Sequence, residues 1–131
     1  MNKHLVLLVD DDPGFREIWK LKLTSNGFDV LEACNGKEAL EILKNKKPDV
    51  ILLDVIMPKM DGVETLLTIK ENNNLKDVKI FFVTSLDNAD PELSEYHKEL
   101  ASEIGAVEYL RKSIDLDDLV EKISNSLKSK K

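Results

Sequence analysis

Apolar residues fall into short blocks separated by longer stretches in which they recur every three or four positions. Leu5–Val9 is wholly apolar, as suits a strand covered on both faces. Pro13 then stands where a helix can start, and Phe15, Ile18, Trp19 and Leu23 follow at helical spacing. Gly27 closes that helix as a C-terminal cap. Residues 28–33 form a more polar second strand, which belongs at an edge. Asn35 and Gly36 open a second helix with Ala39, Leu40 and Leu43 on one face, ending before Pro48. A third strand, 50–53, is again wholly apolar and runs directly into Asp54. A helix over 62–71 carries Val63, Leu66, Leu67 and Ile69, and 80–83 is the fourth strand. Residues 91–104 read as a helix striped by Leu93, Leu100, Ala101 and Ile104 and stopped by Gly105. The last strand is 107–110. Asp115 then caps a helix bearing Leu116, Leu119, Val120, Ile123 and Leu127.

Strands alternating with helices five times over imply an α/β fold. Its parallel sheet is doubly wound, with helices on both faces and right-handed crossovers. The first, third and fourth strands are the most apolar and belong inside the sheet, which agrees with the flavodoxin-like order 2-1-3-4-5. Ligands of such sheets bind beyond the carboxyl ends of the strands, at the point where the strand order reverses.

The chain has 131 residues, 42% apolar and 34% charged, the profile of one folded domain. No apolar run approaches the ~18 residues of a membrane span, and no signal peptide is visible. The lone Cys34 can form no internal disulfide and is read as a small buried residue. These features place the protein in the cytoplasm. A net charge of −6 disfavours direct nucleic-acid binding, and the basic run 128–131 reads as a solvated tail. The reading is of one freestanding domain over 1–131, with a core of about 3–127.

The strand ends carry the chemistry. Asp10, Asp11 and Asp12 follow the first strand, Asp54 ends the third, Thr84 and Ser85 the fourth, and Lys112 the fifth. Two carboxylates ~4 Å apart repel by about 4 kcal/mol at an effective dielectric of 20, so such a group needs a cation or protons. Mg²⁺ suits a site offering few carboxylates together with waters and a phosphate. No Cys joins the group, and His4 and His97 read as ordinary surface or core residues, which argues against zinc. Asp10–Asp12 alone could be a solvated loop capping the first helix. Asp54 directly after a buried strand needs a further reason. With Thr84 and Lys112 added, the set can neutralise and hydrogen-bond a phosphoryl group, and a carboxylate can accept one as an aspartyl phosphate. Asp54, central among them, is the natural nucleophile.

Four segments together resemble the receiver domain of two-component response regulators. They are Val9-Asp10-Asp11-Asp12-Pro13, Leu53-Asp54-Val55-Ile56-Met57-Pro58-Lys59-Met60-Asp61-Gly62, Val83-Thr84-Ser85, and Gly105-Ala106 with Tyr109-Leu110-Arg111-Lys112. The resemblance, which extends to the single-domain chemotaxis-type regulators, implies that Asp54 accepts a phosphoryl group from a sensor histidine kinase or phosphotransfer protein. It implies Mg²⁺ bound by Asp11 directly, by Asp10 partly through water, by Asp54, and by the backbone carbonyl of Ile56. Thr84 would then bond the phosphoryl group, Tyr109 would change rotamer behind it, and Lys112 would pair with its oxygens. Output would pass to a target protein through the fourth helix, last strand and last helix. A homodimer formed on phosphorylation is compatible with this. The domain would catalyse only its own phosphorylation and dephosphorylation. Asp12 aligns with a helix-start position, and Asp61 and Gly62 with turn chemistry.

Two departures stand out. Ser113 occupies the place where the family usually has proline, so Lys112 is expected on a trans bond, slightly displaced. Thr84 to Gly105 is also longer than the family pattern by up to roughly two helical turns, the excess lying in 86–95. Ile56 and Leu86 are apolar where the family borders the path of hydrolytic water, which implies slow self-dephosphorylation. Three rival readings share parts of the pattern. A flavin or nucleotide binder would want Gly, Ser or Thr in the first loop rather than three aspartates. A Mg²⁺-dependent phosphohydrolase of the haloacid dehalogenase kind would want Thr or Val where Gly14 stands. A receiver-like module that takes no phosphate would use the same surface as a fixed binding face.

Overall fold

Why the apolar blocks become a sheet is visible in their alternation. In the computed structural model, which describes residues 3–54, 62–84 and 108–128 (side chains of Val63, Thr84 and Tyr109 excepted), five strands lie parallel. They are β1 (Leu5–Val9), β2 (Asp29–Ala33), β3 (Val50–Asp54), β4 (Lys79–Thr84) and β5 (Glu108–Arg111), in the order β2-β1-β3-β4-β5. The helices described are α1 (Pro13–Ser25), α2 (Gly36–Leu43), α3 (Gly62–Lys70) and a C-terminal helix (Leu116–Lys128). The helix expected over 91–104 and the long segment 86–95 lie outside the described residues.

Side chains of successive strand residues point to opposite faces, and two cores result. Leu7, Val9, Ile51, Leu53, Ile80 and Phe82 pack under α2 and α3 with Ala39, Leu43, Leu66 and Ile69. Val6, Leu8, Val50, Leu52, Phe81 and Val83 pack under α1 and the C-terminal helix with Trp19, Leu23, Leu119 and Ile123. Each Val, Leu, Ile or Phe among them, once buried, contributes about 1.5–3 kcal/mol through removal from water.

The helix ends follow from local chemistry. Asp12 Oδ1 accepts from the amides of Gly14 and Phe15, at 3.0 and 3.3 Å, and caps α1. At the other end Gly27 adopts φ 92°. Its amide bonds Thr24 O, and that of Phe28 bonds Leu23 O, the paired bonds of a Schellman cap. Asn35 caps α2 through the Glu38 amide, and Asp115 caps the C-terminal helix through Asp117 and Asp118.

Three details differ from the sequence reading. Lys128, taken as the start of the tail, is the last residue of the C-terminal helix. Cys34 is half-buried rather than buried, because it lies just past the end of an edge strand beside Glu38, which pushes its thiol pKa up. A 3-10 turn at Asn73–Leu75, with no apolar period to announce it, sends Leu75 and Val78 into the α2–α3 core.

Candidate phosphoryl-acceptor site

Strand register brings the first carboxylates together. Val9 of β1 pairs with Leu53 of β3, so Asp10 and Asp54 emerge side by side from adjacent central strands. Thr84 pairs with Arg111 across β4 and β5, placing Lys112 just past the sheet edge on a stem long enough to reach back over it. Asp10 is 1% exposed and Asp54 4%, whereas Asp11 is exposed. One oxygen from each of Asp10, Asp11 and Asp54 falls within 4.8 Å of the others.

Lys112 closes the cluster. Its Nζ lies 2.7 Å from Asp10 Oδ2 and 3.5 Å from Asp54 Oδ2. It also lies 4.5 Å from the centre of the Phe15 ring. Burial alone would lower the lysine pKa. The close Asp10 carboxylate and the Asp54 charge outweigh it and hold the pKa above its ordinary value, so the head stays cationic. The Lys112–Ser113 bond is not cis, in line with the expectation for a serine at that position.

Three carboxylates against one ammonium leave an excess of two negative charges (−3 + 1 = −2). Asp10 Oδ1 is used by the Asp12 amide at 2.9 Å. Asp10 Oδ2 is buried and, among the described residues, accepts no hydrogen bond of good angle; its contact with Lys112 is one of charge. All donors are hard oxygens, with no His or Cys among them. A buried, under-bonded carboxylate oxygen in an over-negative oxygen cluster fits Mg²⁺. Ile56, whose carbonyl was expected to join it, lies outside the described residues, as do the side chains of Thr84 and Tyr109.

One contributor carries no signal in the sequence. Arg16, on α1, donates from Nη1 to the carbonyl of Asp10 at 2.5 Å and from Nε to Glu32 Oε1 at 3.0 Å. Lys20 lies 3.2 Å from the other Glu32 oxygen. This network ties α1 and β2 to the loop that presents the aspartates. Asp12, expected at a helix start rather than in the ligand set, caps α1.

The family profile described as "Response regulator receiver domain" matches residues 6–124. The chain belongs to that family. Receivers are phosphorylation-dependent signalling switches of two-component systems. The alkaline phosphatase synthesis transcriptional regulatory protein PhoP of Bacillus subtilis is 37% identical over 112 residues, covering 86% of this chain and 43% of PhoP. The probable transcriptional regulator ycf27 of Cyanidium caldarium is 34% identical over 126 residues, covering 96% of this chain and 47% of its own. The chain thus spans about half the length of the curated relatives it matches. Among solved structures, chemotaxis protein CheY4 of Vibrio cholerae superposes with TM-score 0.84 at 28% identity, covering 95% of this chain and 99% of CheY4. TrrA of Thermotoga maritima, in complex with Mg²⁺-BeF, gives 0.79 at 33% identity, covering 94% of this receiver and 98% of TrrA. Among the described residues, no helix of the receiver is long and apolar enough to cross a membrane.

Proposed function

We propose that this receiver is switched by phosphorylation of Asp54. The observation that carries this is the placement of Asp54. It is a buried carboxylate at the end of a central strand, next to Asp10 and 3.5 Å from the Lys112 ammonium. An Asp54 oxygen attacks the phosphorus of a phosphohistidine donor. A P–O bond forms, the P–N bond breaks, and the imidazole leaves with a proton taken from solvent. Lys112 shifts its pairing from Asp10 to the new phosphoryl oxygens, offsetting charge that did not exist before transfer. Asp10, Asp11, Asp54 and the carbonyl of Ile56 would hold Mg²⁺, which when bound supplies further neutralisation of the transferring oxygens. The Mg²⁺-BeF complex of TrrA supports that choice of cation.

Thr84 would bond the phosphoryl group and Tyr109 would follow it, and output would pass through the fourth helix expected from the sequence, β5 and the C-terminal helix. The donor is a sensor histidine kinase or phosphotransfer protein in the cytoplasm, and the recipient a target protein or a second receiver. The domain is a single unit whose only catalysis is its own phosphorylation and dephosphorylation. Ile56 and Leu86 would make the phosphoryl group long-lived; an unchanged lifetime in Ile56→Asn and in Leu86→Glu refutes that part. For the acceptor itself, label from phosphoramidate should be released by hydroxylamine and absent from Asp54→Asn. Label that survives hydroxylamine, or persists in Asp54→Asn, would overturn the assignment.

A further inference from the structure

Lys112 sits in a turn with Ser113 at the end of β5, and its charge stands at the tip of a flexible four-carbon stem. Where the head rests is therefore decided by what it touches. Among the described residues it touches the carboxylates of Asp10 and Asp54 and, at 4.5 Å, the face of Phe15. Phe15 lies in the first turn of α1, three residues after the capping Asp12. Its ring leans on Trp19, with centres 4.4 Å apart, and Trp19 is itself fully packed. Arg16 fastens the same turn to the Asp10 carbonyl. The ring is thus fixed relative to the aspartates.

An aromatic face attracts a cation without neutralising it and offers no oxygen to compete for its protons. An aliphatic group of similar size would exclude water equally well but would not attract the head. A further carboxylate there would deepen the excess negative charge of the cluster and compete with the phosphoryl oxygens for the ammonium. We propose that Phe15 is a positioning residue whose ring face holds the Lys112 ammonium over the gap between Asp10 and Asp54. The ammonium can then change partners from Asp10 to a phosphoryl group without leaving the site. This rests on the reading of Asp54 as acceptor and adds a residue to it.

Two readouts test the proposal. The first is the chemical shift of the Lys112 ε-methylene protons, which the ring moves upfield in the parent and in Phe15→Tyr but not in Phe15→Leu. The second is the rate of Asp54 phosphorylation by phosphoramidate with Mg²⁺. It should fall several-fold in Phe15→Leu, recover in Phe15→Tyr, and fall again with pentafluorophenylalanine at position 15, which keeps the ring's shape but reverses its quadrupole. In a Lys112→Met background these changes should have no further effect. The proposal is overturned by an absent ring shift in the parent, by a pentafluoro variant as fast as the parent, or by an equal slowing without Lys112. If the parent itself takes no phosphoryl group, the reading of Asp54 fails, while the ring shift and its loss in Phe15→Leu still decide whether Phe15 holds the ammonium.

Discussion

Lys112 is the counter-ion of Asp10 before it is a partner of Asp54: its Nζ stands 2.7 Å from the first and 3.5 Å from the second. Removing the ammonium leaves two buried carboxylates facing each other. We expect Lys112→Met to lose about 3 kcal/mol of stability at neutral pH, the lower end for breaking a buried pair, since the lysine is 18% exposed. Adding Asp54→Asn should restore part of that loss. Urea unfolding of both variants checks it; an unchanged midpoint in Lys112→Met would contradict the pairing.

Mg²⁺ should raise the melting temperature, because a cation at the cluster binds the folded chain and relieves its excess charge. At one hundred times the dissociation constant the gain is about 2.7 kcal/mol. Asp10→Asn and Asp54→Asn should each blunt the effect, whereas Asp49→Asn, at the opposite end of the sheet, should not. A thermal scan against Mg²⁺ in which all three behave alike would remove the cation from this site.

Much of this architecture was legible from residue order. β1 matches its apolar run residue for residue, and the α1 cap, the Gly27 stop and the Asp115 cap follow from local bonding that needs no tertiary partner. Asp10, Asp11, Asp54 and Lys112 could be grouped from the sequence because parallel topology forces strand ends to one edge, and they do lie together. What escaped depends on contacts between elements. Arg16 looks like any polar helix residue until α1 packs beside β2, and Phe15 reads as one more apolar position until Lys112 reaches it. The 3-10 turn at Asn73–Leu75 has no period, and its buried Leu75 is recruited only by the finished core.

Gly27 gives a test of backbone conformation apart from function. Its φ of 92° is strained for any L side chain, while an added methyl group would meet nothing within 4 Å. Gly27→Ala should therefore cost about 1–2 kcal/mol from backbone strain alone. Phosphorylation should be unaffected. Equal urea midpoints for the two proteins would contradict this cap.

Glu32 makes a prediction about acid. Partial burial would raise its pKa, but the bonds to Arg16 and Lys20 outweigh it and hold the value below that of an ordinary glutamate. A depressed folded-state pKa means the stabilisation is present above the unfolded value and is lost as pH falls through the folded one. Glu32→Gln should cost up to about 1 kcal/mol near neutrality and nothing in strong acid. Stability curves that stay parallel down to low pH would refute the network.

Phosphorylation of Asp54 is open to one simple mass measurement. Parent and Asp54→Asn are incubated with acetyl phosphate and Mg²⁺ and weighed intact. A single phosphoryl adduct is expected on the parent, none on Asp54→Asn, and none on the parent when Mg²⁺ is chelated. An adduct on both proteins, or on neither, would contradict it.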